Sequence, residues 1–485
     1  MINNFKKFGL DKDIIKALYN LEYNIPSKVQ CESIPRLLNK ENIFVKSKTG
    51  SGKTASFGIP ICEKIDVNNS NLQALIVVPT RELAIQVKEE ISNIGRLKKI
   101  RCSAIFGRQP IKEQINELKQ RVHVVVATPG RVIDHINRGS INLDNINYFI
   151  IDEADKMLNK GFIEDMEFIF NNIPKETVIG LFSATIDKDI SYIHNKYMIN
   201  PSMIEIENDE NLDKRQIEEN LVSLKEDEKY NTLKDLIYYY NPKTTIVFLN
   251  TKDRVTKLYN KMKKDKFLVE QLHGDMSQEK RIFAIKDFKK GKYNILVSTD
   301  VASRGIHIDD VSLVINYDVP IDKENYIHRI GRTGRKDKYG KSITMVNEKD
   351  KKYIDEIKKY IGHEINIINE LSSEDVKKGK AKFEKASSIL LNNKKIKKKD
   401  KKVHSEVTRI YLNAGKKKKI RVLDIVGTFS NIEGINNEDI GVIEVCDLCS
   451  YVDLLNHKGE MFLKKYKEIS IKKKLVKVRR DNSNC

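Results

Sequence analysis

No run in the 485 residues is apolar over anything near the ~18 residues that a bilayer-spanning helix needs. The opening residues also lack the short apolar core of a secretory leader. The expectation is a cytoplasmic protein with no membrane partner. Cysteine is scarce: six, scattered at positions 31, 62, 102, 446, 449 and 485. That excludes a disulfide framework and fits a reducing compartment. Only Cys446 and Cys449 have C-x-x-C spacing, with no second pair or histidine pair beside them, so they read as packing residues rather than metal ligands.

What the chain has in excess is positive charge. Of a net +20, the segment Val376 to Cys485 carries 28 basic against 13 acidic side chains, so most of the surplus lies in under a quarter of the length. A localised surplus of this kind points to a polyanionic partner, here nucleic acid, although a basic tail can also be a merely solvated face. The hydrophobic share of 40% permits sizeable cores, and the length argues for two to four domains.

Two stretches carry chemistry. Ile43-Phe44-Val45 reads as a strand that runs into Ser47-Lys48-Thr49-Gly50-Ser51-Gly52-Lys53-Thr54. This supplies glycines for a turn around phosphates, an ammonium for the β/γ-phosphates and a hydroxyl for Mg²⁺. Further on, the apolar run Asn147 to Ile151 ends in Asp152-Glu153-Ala154-Asp155. Three carboxylates delivered to one sheet edge repel each other unless a cation shares the site, and a metal is the expected cation. Alone, the first stretch could be a ligand-free turn and the second a solvated helix start. Together, each after its own apolar strand, they specify an Mg·ATP site.

Asp152-Glu153-Ala154-Asp155 in this setting resembles the signature of the DEAD-box RNA helicases. The resemblance implies ATP and Mg²⁺ as cofactors, RNA as partner, and two RecA-like, doubly wound parallel-sheet domains of α/β class. In family roles, Thr49, Gly50, Ser51 and Gly52 wrap the phosphates, Lys53 neutralises them, and Thr54 with Asp152 holds Mg²⁺. Glu153 orients or deprotonates the attacking water. Gln30 resembles the adenine-reading glutamine, with Phe5 able to stack on the base. Strands Ala74 to Val78 and Val122 to Ala127 lead into Pro79-Thr80-Arg81 and Thr128-Pro129-Gly130-Arg131, which resemble the loops that grip the RNA backbone. Where the family often has two glycines, this chain has Phe106-Gly107-Arg108, and a further phosphate contact is expected through Arg108. Ser183 and Thr185, after the strand ending at Phe182, resemble the motif that couples the ATP site to RNA.

The first domain is expected over residues 1–206 and an acidic, polar linker over 207–216. A second α/β domain follows over 217–370, without a phosphate loop of its own. It offers Gln278 and Arg281 after His273-Gly274, then Thr299 and Arg304, then His328-Arg329-Ile330-Gly331-Arg332-Thr333-Gly334-Arg335. Glycines among the arginines permit a turn that aims several guanidiniums at one phosphate region. The resemblance makes Gln278, Arg281, Thr299 and Arg304 RNA contacts, and Arg332 and Arg335 arginine fingers. Where the family has an aspartate at the ribose, this chain has His307, expected to keep a weaker, pH-sensitive ribose contact.

Residues 371–404 are expected to form a basic flexible tether, because Lys394 to Lys402 is too charged to pack. Residues 405–480 return to order, followed by a tail at 481–485. The expected elements are a strand at Val407 to Leu412, a helix at Ile420 to Ser430 and a strand at Val442 to Val445. A helix at Tyr451 to Asn456 follows, then strands near Phe462 and at Leu475 to Val478. This α+β order resembles an RNA-recognition-motif (RRM-like) domain. The strand at 442–445, taken as the third of the sheet, lacks aromatics for stacking, and the RNA surface is expected at Lys416, Lys417, Lys418, Lys419 and Arg421. A DEAD-box core joined to such a tail resembles the bacterial DbpA/YxiN subfamily. That resemblance implies recognition of a hairpin in large-subunit (23S) ribosomal RNA during 50S assembly. The expected activity is ATP-dependent local unwinding of RNA when the two RecA-like domains close. The alternatives are a general messenger-RNA or cold-shock helicase and a non-enzymatic RNA clamp or annealing chaperone.

Overall fold

A computed structural model describes residues 4–47, 51–186, 188–206, 217–300, 308, 311–334, 339–368, 371–392 and 406–481. The chain divides into two compact units, Met1–Glu207 with Lys401–Cys485, and Asn208–Asp400. The C-terminal domain thus shares a unit with the first domain.

The first domain is built on β1 (Ile43–Lys46), β2 (Ala74–Val77), β3 (Cys102–Ile105), β4 (Val124–Ala127), β5 (Tyr148–Ile151), β6 (Val178–Ser183) and β7 (Ser202–Glu205). Their order is β3-β4-β2-β5-β6-β1-β7, and every pairing is parallel. Strands β2, β4, β5 and β6 are buried along their whole length, which is why they read as unbroken apolar runs. Two apolar clusters flank the sheet, one containing Phe57, Ile76 and Phe182, the other Leu75, Phe149 and Leu181. Because all strands run the same way, the loops after β1, β2, β4, β5 and β6 emerge at one edge, where ligands bind in such sheets.

The second domain repeats the plan with β8 (Ile217–Ser223), β9 (Thr245–Leu249), β10 (Val269–Leu272), β11 (Ile295–Thr299), β12 (Leu313–Asn316), β13 (Gly340–Val346) and β14 (Asn366–Ile367). The order is β10-β11-β9-β12-β13-β8-β14, again all parallel. One expectation needs correction here. The expected tether begins with a helix, Ser373–Asn392. Its Phe383 is buried among core residues that include Phe267 and packs edge-on to Tyr238. A Cβ on Gly379 would stand 2.0 Å from the Tyr238 carbonyl oxygen. One buried aromatic and one close glycine seat the helix despite its lysines. Residues 393–405 lie outside the described residues.

The C-terminal domain has β15 (Thr408–Leu412), β16 (Ile440–Val445), β17 (Ser450–Leu454), β18 (Glu468–Ile471) and β19 (Lys474–Arg480) in the antiparallel order β16-β17-β15-β19-β18. Helices Val422–Ser430 and Lys458–Lys465 pack Ile425, Phe429 and Phe462 against Ile410, Leu412, Val452 and Leu454. The expected helix at Tyr451 to Asn456 is strand β17, and the expected strand near Phe462 is a helix. Both were short apolar runs, whose periodicity does not separate the two states. The third strand of the motif is therefore β17, and it carries an aromatic, Tyr451, directly opposite Tyr411.

Candidate functional site

The phosphate-loop lysine begins the helix Lys53–Lys64, and Gly52 ahead of it has φ +93°, a backbone that only glycine adopts without strain. Space demands glycine as well, since a Cβ there would lie 2.6 Å from Gln30 Nε2. Gln30 Nε2 donates to the Gly52 carbonyl at 3.2 Å, while Gln30 Oε1 accepts from the Ser27 N–H at 2.9 Å. Ser27 Oγ donates to the Ser51 carbonyl at 2.8 Å. The glutamine expected to read adenine is thus braced against the phosphate loop itself. Lys53 is buried, with Nζ donating to the Ser47 carbonyl at 2.8 Å. Thr54 follows it on the same helix. Phe5 is not placed to stack on a base: its ring is fully buried, edge-on to Phe8 and Tyr23.

The acidic motif follows β5. Asp152 is 3% exposed, and its Oδ1 accepts from the Glu153 N–H at 2.9 Å. Glu153 has φ +54° in the turn before the short helix Ala154–Leu158. Its carboxylate is held by Lys156, Nζ to Oε1, at 2.6 Å. A basic side chain three residues downstream therefore already shares the carboxylate cluster. Asp155 Oδ2 accepts from the Ala184 N–H at 3.2 Å and from Thr185 Oγ1 at 3.5 Å. Ser183 pairs with Lys46 across β6 and β1, and its carbonyl accepts from the Ser47 N–H at 3.0 Å. Strand β6 thus joins the start of the phosphate loop to the end of the acidic motif.

On the same sheet edge, Thr80 caps the helix Arg81–Ile94 through Oγ1 and the Leu83 N–H. Pro79 accepts from Lys160 Nζ at its carbonyl, and Arg81 leans over Gly107, leaving 3.4 Å to a Cβ there. Arg108 is exposed at φ +64°. Thr128 and exposed Gly130 flank Pro129 at the start of the helix Pro129–Asn137, and Arg131 donates to the Gln109 carbonyl at 3.0 Å. Strands β2 and β4 are neighbours, so these residues form one polar border beside the nucleotide loops.

In the second domain, Arg329 departs from expectation. It is 1% exposed and turned inward rather than toward a phosphate. Its guanidinium donates twice to Asp300 and also to the Asn250 side chain and the Asp318 carbonyl. It ties together the segments after β9, β11 and β12, a role that no sequence spacing announced. Arg332 is 9% exposed, its carbonyl accepting from the Val311 N–H. Thr299 is buried at the end of β11, and Gln278 and Arg281 lie on the helix Gln278–Lys289. Thr49, Gly50, Arg304, His307 and Arg335 lie outside the described residues.

The basic loop Lys416–Lys418 is a single 3₁₀ turn, closed by Lys419 at φ +58°. It sits on the turn between β16 and β17: Lys416 N–H donates to the Cys446 carbonyl and Lys417 N–H to the Asp447 carbonyl, both at 2.9 Å. A Cβ on Gly415 would stand 2.2 Å from the Cys446 oxygen. Cys446 and Cys449 are thus scaffolding, and burial pushes the Cys446 thiol up to about 12. Exposed Arg421 occupies the N-cap position of the helix that follows the loop, its backbone N–H donating to Asp424 Oδ2 at 2.7 Å. Three further lysines, missed in the sequence, join this surface from the β18–β19 turn. Lys474 Nζ reaches the Lys418 carbonyl at 2.7 Å and Lys472 Nζ the Lys419 carbonyl at 3.3 Å, with Lys473 between them. The available signal was the run Lys472-Lys473-Lys474 between two apolar-alternating segments.

Comparison with known proteins accounts for all three domains. Residues 27–193 match the DEAD/DEAH box helicase model, 228–337 the helicase conserved C-terminal domain and 409–480 the DbpA RNA binding domain. The chain is 45% identical over 483 residues to the ATP-dependent RNA helicase DbpA of Bacillus subtilis, covering 99% of this chain and 100% of that protein. It is 39% identical over 379 residues to the DEAD-box ATP-dependent RNA helicase CshA of the same organism, covering 78% and 76%. Among solved structures, Saccharomyces cerevisiae Dbp5 bound to RNA and ADP–BeF₃ is 31% identical with a TM-score of 0.66, over 80% of this chain and 99% of that one.

Proposed function

The chain belongs to the DEAD-box ATP-dependent RNA helicases of the DbpA type, and from that premise we propose that it acts on 23S ribosomal RNA in 50S assembly intermediates. The observation that carries this reading is the built basic surface of Lys416 to Lys419 with Lys472 to Lys474, seated on a rigid turn within the segment that matches the DbpA RNA binding domain. An exposed cluster of ammonium groups on fixed backbone suits a folded RNA hairpin, which is recognised by the placing of its phosphates and 2′-hydroxyls. The alternative of a general messenger-RNA helicase does not account for this appendage.

Within the motor, Lys53 and the backbone of Ser51 and Gly52 hold the ATP phosphates. Asp152 and Thr54 offer hard oxygen donors of the kind Mg²⁺ prefers, and Asp152 is nearly buried at one end of the carboxylate cluster. Bound there, Mg²⁺ would neutralise charge on the phosphates. Glu153, released from Lys156, orients or deprotonates the attacking water, and Arg332 with Arg335 offsets charge on the γ-phosphate. Neither core domain by itself carries the full set of groups, so hydrolysis requires both. Pro79 to Arg81, Arg108, Thr128 to Arg131, Gln278, Arg281, Thr299 and Arg304 hold the RNA backbone without reading its sequence. Asp155, Ser183 and Thr185 pass the state of one site to the other.

The test is RNA-stimulated ATP turnover with a 23S hairpin fragment and with generic duplex RNA, in the natural chain and in a Lys417→Glu/Lys418→Glu variant. We expect preference for the ribosomal fragment, and at least tenfold loss of that preference in the variant with basal turnover unchanged. Equal stimulation by both RNAs in the natural chain rejects the reading.

A further inference from the structure

An RRM-like sheet ordinarily offers its open face to bases, through aromatics on its two central strands. Here those strands are β15 and β17, and the aromatics are Tyr411 and Tyr451. Their faces are already covered by the same sheet. Arg479 lies 4.2 Å from the Tyr411 ring centroid and Arg409 lies 4.9 Å from that of Tyr451. Two acids stand on the same face: Glu444 opposite Tyr451, and Asp453 opposite Arg409. Glu444 is paired with Arg409, and the two carboxylates balance the two guanidiniums, so these four groups offer a phosphate backbone no net positive charge.

The same face and its border meet a basic flank of the first domain. Arg96 donates to Asp453 through Nε and Nη2, each at 3.1 Å, and Asp453 is 2% exposed. Arg101, whose charge burial disfavours, has Glu444 and Glu117 as its favourable neighbours. Glu406 accepts from Asn20 at 2.7 Å and pairs with Lys16 at 3.7 Å. Lys99 donates to the Asn437 carbonyl, and Glu438 and Asp439 favour its charge. Five of the eleven acids between Val403 and Cys485 thus gather on this side, away from the lysine loop. Gln120 completes the outer edge of β16, accepting from the Val445 N–H at 3.1 Å and donating to the Val445 carbonyl at 3.0 Å. An otherwise open strand edge is thereby covered. Ala17, Leu97, Val407 and Leu455 close a small apolar seam between the domains.

We propose that the open face of the C-terminal sheet, with its acidic border, is a protein-docking surface matched to the basic flank of the first domain, not a platform for RNA bases. The flank consists of the helix Lys12–Asn20 and the segments that precede β3 and β4. It therefore lies at the opposite end of the strands from the nucleotide and RNA loops and leaves them open. Lys416 Nζ also reaches the Asn116 carbonyl at 3.4 Å. Docking thus mounts the lysine loop on the motor's first domain, so that RNA held by the loop moves with that domain.

The test is amide hydrogen exchange at Val445 and along β16 and β17 in the full chain, because the Val445 amide hydrogen is donated to Gln120. The variants are Arg96→Glu, Asp453→Arg and the two together. Each single reversal is expected to raise exchange at Val445 tenfold or more, and the double exchange of charges to return it to within threefold of the natural chain. Arg96→Glu lies outside the C-terminal domain, so its effect is independent of that domain's folding. Unchanged exchange in Arg96→Glu, or no recovery in the double variant, overturns the proposal. A second arm measures affinity for the 23S hairpin fragment in Tyr411→Ala/Tyr451→Ala. Affinity within threefold supports docking, and a tenfold loss assigns the face to RNA and overturns it.

Discussion

Arg329 and Asp300 form a two-pronged ion pair, Nε to Oδ1 at 2.5 Å and Nη2 to Oδ2 at 2.7 Å, with the guanidinium 1% exposed. The remaining donors reach Asn250 and Asp318, so one side chain holds three loops of the second domain. Arg329→Ala should destabilise that domain by up to about 3 kcal/mol, the low end of the cost of breaking a buried pair, because the Asp300 carboxylate left behind is 18% exposed. Arg329→Lys should recover only part of this, since an ammonium cannot reproduce the fork. Urea unfolding of the second domain, followed alongside ATP turnover, checks both.

Lys156 holds the carboxylate of Glu153, Nζ to Oε1 at 2.6 Å, and Glu153 must leave it to reach the attacking water. Lys156→Ala should therefore retain RNA-stimulated ATP turnover, whereas Glu153→Gln should abolish it. Turnover lost in Lys156→Ala means that the reaction needs the ammonium as well as the carboxylate.

Gly415 should tolerate no side chain. Its Cβ would meet the Cys446 and Cys449 backbone at 2.2–2.8 Å, and backbone gives way less readily than a flexible side chain. Gly415→Ala is expected to cost the C-terminal domain about 1–3 kcal/mol and to weaken RNA binding by displacing the lysines. Cys446→Ser/Cys449→Ser should leave both nearly unchanged, because the loop bonds to backbone oxygens there rather than to sulfur.

His123, just before β4, accepts the Arg101 N–H at Nδ1. Burial, then the charges of Arg101 and Arg121, lower its pKa from 6.5 to about 4. The folded chain therefore favours neutral imidazole. The resulting stability is complete above pH 6.5, declines as pH falls toward 4, and amounts to about 2–3 kcal/mol. His123→Gln should flatten the stability–pH curve of the first domain by that amount between pH 7 and 4.5, measured by denaturant unfolding at each pH.

Local sequence determined the parallel strands, the phosphate loop, the acidic motif and the lysine loop. These are contiguous stretches in which apolar runs set buried strands, and glycines and charges at fixed spacing set the turns between them. The same information failed where a short run suited two states, as at Tyr451 to Leu454 and around Phe462. It also failed where a lysine-rich helix was seated by the single aromatic Phe383. Tertiary structure alone decided that Arg329 faces inward, since Asp300, Asn250 and Asp318 meet only when β9, β11 and β12 lie in one sheet. It decided likewise that Phe5 packs the core and that Lys156 shares the carboxylates. The meeting of Arg96 with Asp453, 357 residues apart, is of the same kind: neither charge has a local partner that names the other, and only the packing of two domains brings them together.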